Sequence, residues 1–158
     1  MLGKQNNRDM LDFVSSETKK IMYNCIEREA KAMQIPLEKT RLVLYLNEDG
    51  SNGYRTIEEF TNGDGAVDIR TLKEFSFTGV LGVKIDMRGY SLIAPPFIQK
   101  AILRFSENLK IPYTNLNVVC YPTYKKGEIA ICIFNGKAYV QQIQLSELFN
   151  EQDAVQNT

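Results

Sequence analysis

The dipeptide Asn135-Gly136, set between two apolar runs, constrains the fold more than any other feature of this chain. Asn and Gly tolerate positive φ, which a two-residue type I′ turn requires at both central positions, and that turn matches the twist of paired strands. Phe134-Asn-Gly-Lys137 therefore predicts a hairpin between strands at 128–134 and 138–143, with Ile133 opposite Ala138 and Ile131 opposite Val140. The run Leu116 to Tyr121 reads as a preceding antiparallel strand. With residues 122–127 as its loop, Cys120 falls opposite Ile129 and Val118 opposite Ile131. Strand side chains alternate between faces. One face of this meander then carries Leu116, Val118, Cys120, Ile129, Ile131, Ile133, Ala138 and Val140, a surface for a helix to cover. The other carries Val119, Tyr121, Ala130, Cys132, Phe134, Tyr139 and Ile143, mixed with Asn117 and Gln141. That second face is too apolar to be left wholly in water.

Upstream, apolar residues from Met10 to Met33 recur at three and four residues, which predicts a helix from about Asp9, ended by Pro36. Ser15-Ser16 is a candidate kink or second cap within it. The apolar run at 41–47 reads as a strand buried on both faces. A returning strand at 54–60 follows, between turn clusters at 49–53 and 62–65. No element is assigned to 66–78, whereas alternation at 80–88 predicts a half-buried strand. Ala94-Pro95-Pro96 opens a second helix, closed by Pro112. A short helix is expected at 146–149.

The fold class expected is α+β: a mainly antiparallel sheet with a long N-terminal helix, a central helix and a C-terminal three-stranded meander. Residues 1–8 read as a flexible lead-in, 9–149 as one domain and 150–158 as a flexible tail. At 158 residues and 44% hydrophobic content, the chain buries enough surface to fold without disulfides or a structural metal. Cys25, Cys120 and Cys132 are odd in number and lie in apolar stretches, where thiols serve as small hydrophobes. The polar start is unlike a secretory leader, and no run of about 18 apolar residues suits a membrane span. The expected compartment is the cytoplasm, and the Asn, Lys, Ile and Tyr usage suits a bacterium, a phage or a mobile element.

There is no histidine, which removes Ser-His-Asp and Cys-His sites and histidine-containing zinc sites. Lys plus Arg and Asp plus Glu both number 19, so net charge draws the chain toward neither nucleic acid nor anionic membrane. It also leaves little repulsion against self-association. Asp49, Glu58, Asp64 and Asp68 cluster in sequence around the Gly-rich turns and are weak candidates for a hard cation. The stretch from Glu48 ends like a calcium loop, with Gly53 sixth and Glu59 twelfth, but Gly50 stands where an oxygen ligand belongs. Residues 97–140 carry an excess of four positive charges, and Tyr121 and Tyr124 beside Lys125 and Lys126 are candidates for stacking and phosphate contact with single-stranded nucleic acid. No recognisable nucleic-acid motif accompanies them.

The function expected is a non-enzymatic protein-binding or assembly/regulatory protein acting as a homo-oligomer, partnered by itself or another protein. No catalytic residue and no cofactor is nominated. Phe134, Tyr139, Tyr121 and Ile143 on the second face are the candidate interface, since aromatics anchor interfaces. A single-stranded nucleic-acid module and a carboxylate- or metal-dependent phosphoryl-transfer or hydrolytic enzyme are the alternatives.

Overall fold

A computed structural model describes residues 2–61, 63–65, 67–75 and 95–149. The chain is α+β. Helix α1 (Leu2–Met33) leads through a short 3-10 turn to β1 (Thr40–Leu46), β2 (Asn52–Thr61) and β3 (Val67–Phe75). Helix α2 (Pro95–Leu109) precedes β4 (Leu116–Pro122), β5 (Ile129–Asn135) and β6 (Ala138–Ile143). A 3-10 turn at Leu145–Phe149 follows. All strand pairings are antiparallel, in the order β3-β2-β1-β4-β5-β6.

Both helices lie on one face of this sheet. Thr18, Met22, Cys25, Ile26, Glu29 and Ala30 are the buried stripe of α1, and Ile98, Ala101, Ile102 and Phe105 that of α2. The apolar members of these stripes, save Ala30, pack with Leu42, Leu44, Leu116, Val118, Cys120, Ile131 and Ile133 into the main core. The helices end alike. Gln34 and Lys110 adopt positive φ of 57° and 58°. The amides of Ile35 and Ile111 then reach back to the carbonyls of Ala30 and Ser106, at 2.9 and 3.1 Å. A proline follows each, so neither helix continues. At the N-terminus α1 begins at Leu2 rather than Asp9. It passes through Ser15-Ser16 without interruption.

The meander forms, with three corrections to its register. Asn135 pairs with Ala138, so the loop is Gly136-Lys137, not Asn135-Gly136. Only Gly136 has positive φ, at 60°, as in a type II′ turn. Cys120 pairs with Ile131 and Val118 with Ile133, two residues from the expected register. A two-residue shift leaves each side chain on its face, so the face assignment in β4 and β5 stands. A bulge at Val140 then reverses the alternation in β6. Ile143 therefore pairs with Ile131 and is buried in the helix-covered core, rather than lying with Tyr139. Gln141 pairs with Ile133 on the helix side, and Ala138 is exposed.

β3 occupies a segment to which the sequence pattern assigned nothing. Its bulge at Leu72 explains why: Val67, Ile69 and Thr71 share one face, and the extra residue then breaks the alternation. The strand expected at 80–88 and the tail at 150–158 lie outside the described residues.

Candidate functional site

Among the described residues no helix covers the second face, yet its centre is dry. Val43, Ile57 and Val119 form a small core there, 2%, 4% and 8% exposed. Tyr45, Ile69, Tyr121 and Phe134 pack around it. Among the described residues, the sheet itself reaches across this face. Asp68 begins β3 at one edge, and Lys137 sits in the turn at the far end of β5, yet Lys137 Nζ lies 3.3 Å from Asp68 Oδ1. Strands about 4.8 Å apart would put these corners tens of ångströms from each other in a flat sheet. Accumulated twist has therefore coiled diagonally opposite corners together. The helices fill the first face, so the corners meet over the second and make it concave.

Each end of this concave face is capped by a cation–ring stack. At one end the Arg41 guanidinium lies 4.9 Å from the Tyr121 ring centroid. The same guanidinium approaches Glu59 at 3.7 Å and donates to the Glu38 carbonyl at 2.7 Å. At the other end Arg55 lies 4.8 Å from the Tyr45 ring centroid. The Tyr45 ring occupies the space a Cβ at Gly53 would need, so glycine is what lets that stack close. Tyr121 hydroxyl and Cys132 Sγ are 2.8 Å apart. Burial first, and then this contact, pushes the Tyr121 phenol up to about 12.

Of the four residues expected as an interface, two are brought together at the rim. Phe134 and Tyr139 form an edge-on pair with centroids 5.8 Å apart. Phe134 is half-buried and Tyr139 is 60% exposed. Tyr121 lies on the same face but is engaged by Arg41 and Cys132. Ile143 lies on the opposite face.

The candidate nucleic-acid residues divide. Tyr124, Lys125 and Lys126 are exposed on the β4–β5 loop. Thr123 and Glu128 pin that loop: the Thr123 amide donates to the Glu128 carbonyl, and the Glu128 amide to the Lys125 carbonyl, both at 3.0 Å. Tyr121 is half-buried on the concave face, with Arg41 stacked on its ring.

The carboxylates do not converge. Asp49 and Asp64 occupy turns at opposite ends of β2, about 30 Å apart for ten extended residues. Asp49 caps its own turn by accepting from the Ser51 hydroxyl and amide at 2.6 and 2.9 Å, which hold its carboxyl below the usual range. Glu58 pairs with Arg70 at 2.5 Å, and Asp68 with Lys137. Among the described residues no group of three or more Cys, Asp or Glu is placed to hold a metal ion. Burial pushes the Cys25 thiol up to about 11 and raises Cys120 as well, so both stay protonated at neutral pH. Among the described residues no helix is long and apolar enough to cross a membrane.

Sequence reasoning missed the two stacking arginines, Arg41 and Arg55. It also missed the contrast between the outer strands. β3 carries Asp68, Arg70, Lys73 and Glu74, whereas β6 carries no charge at all. That signal was present in the sequence, but its meaning depends on knowing which strands are at the edge. No protein-family model, curated protein or solved structure matches this chain.

Proposed function

We propose that this chain is a non-enzymatic binding and assembly protein that acts as a homo-oligomer. The observation that carries this reading is the rim of the concave face. There an exposed tyrosine, Tyr139, stands edge-on to Phe134 on an outer strand with no charged residue. Aromatic anchors with little charge around them are the composition of interface centres. The balanced formal charge adds no long-range repulsion between copies. Solution mass by light scattering, at several concentrations and two salt levels, tests the reading. Expected is a mass that rises with concentration and does not fall with added salt. A monomer under all conditions overturns it.

A second reading has its own observation. Tyr124 is fully exposed and followed by two exposed lysines on a loop pinned at its base. Such a tip suits one stacked base and its phosphates. Binding of single-stranded oligonucleotides that weakens steeply with salt, and is lost in Tyr124→Ala, supports this module. No binding at low salt removes it.

A further inference from the structure

Among the described residues the sheet has two outer strands, β3 and β6, and both carry a bulge. Bulging does not distinguish them, but charge does. Charged side chains are a common means by which edge strands repel foreign strands. β3 has four of them in Val67–Phe75, and β6 (Ala138-Tyr-Val-Gln-Gln-Ile143) has neither charge nor proline. Ala138, Tyr139, Gln141 and Gln142 are all exposed.

We infer that β6 pairs antiparallel with β6 of a second copy of this chain, about a two-fold axis between Val140 and Gln141, joining two sheets into one. This rests on the self-association proposed above and names its surface. A neutral strand meets no like-charge penalty against itself, and a two-fold interface is self-complementary by construction. The bulge also bears on the register. With the axis at that point, Tyr139 stands opposite Gln142 of the second copy, and Ala138 opposite its Ile143. In a regular strand those partners would lie on opposite faces. The bulge at Val140 corrects this: Tyr139 and Gln142 pair with Phe134 and Cys132 on the concave face, while Ala138 and Ile143 pair with Asn135 and Ile131 on the other. The bulge thus makes the centred register consistent on both faces.

Two single variants of the full chain, Tyr139→Cys and Gln142→Cys, each made in a Cys132→Ala background so that the native thiol paired with Gln142 cannot close a disulfide within one chain, test this by oxidation alone and as a mixture. Opposed residues lie about 5 Å apart between Cβ atoms, within reach of a disulfide. A residue and its own copy are about 10 Å out of register along the strand. Expected is a cross-linked dimer from the mixture and little from either variant alone. In parallel, the double variant Gln141→Lys/Gln142→Lys is expected to return the mass to monomer, with Thr71→Lys on β3 leaving it unchanged. Assembly of the unaltered chain without the cross-link overturns the edge pairing but leaves self-association standing. A monomeric unaltered chain overturns both.

Discussion

The two faces of the sheet are kept dry by different means. On one, α1 and α2 lay down side chains such as Ile26 and Ile102 against Leu44 and Ile133. On the other, Val43, Ile57 and Val119 are nearly as dry without a helix among the described residues; there Asp68 approaches Lys137 and cation–ring stacks flank the ends. The first arrangement depends on many apolar contacts. The second depends on curvature, on one glycine and on a few polar groups at the rim. In the assembly proposed above, the rim and β6, rather than the broad second face, are the surfaces offered to a partner.

Substitutions separate the two arrangements. The largest loss is expected for Leu44→Ala in the helix-covered core, about 2–5 kcal/mol by chemical denaturation, because transfer and cavity terms add. Gly53→Ala should cost about 1–3 kcal/mol by displacing the Tyr45 ring from Arg55. A neutral outcome there would mean the stack yields freely and does not close the face. Val119→Ala should cost about 1.5 kcal/mol from lost burial alone. A cost equal to that of Leu44→Ala would erase the distinction between the faces.

Titration sharpens the same contrast. Tyr121 should ionise near 12 in the folded chain, against about 10 when unfolded. Its contribution to stability is therefore intact below pH 10 and is lost as pH rises toward 12. Tyr121→Phe should flatten that alkaline decline, followed by thermal midpoint, and ordinary titration of Tyr121 would show that the concave face is wet. The smallest effect belongs to the corner contact. The Ile69 amide first, and then the Lys137 ammonium, hold the Asp68 carboxyl below its usual value. Its contribution is present above the unfolded value near 4 and fades as pH falls through the folded one. Lys137→Ala should weaken this acid sensitivity slightly, and salt should do the same, because the pair is exposed.

Much of the first face was legible in the sequence. Periodicity in α1 and α2 and alternation in β4 and β5 report which side chains share a surface, and a two-residue register error does not change that. The second face was harder to read for physical reasons. Leu72 and Val140 each insert one residue into a strand, which hid β3 and moved Ile143 from the expected interface into the core. Gly136 takes the first central place of its turn, so the strongest turn signal still carried the wrong register. The approach of Asp68 to Lys137 is a product of accumulated twist, which no local pattern encodes.

Concentration-dependent hydrogen exchange tests the central claim most directly, that the concave face closes on itself and leaves β6 as the surface for assembly. The account predicts that amides of β1 and β4 exchange slowly at every concentration. Those of β3 should not respond to concentration, and those of β6 should slow as concentration rises. Exchange in β6 that is independent of concentration in an assembled sample, with new protection appearing in β3 instead, would contradict it.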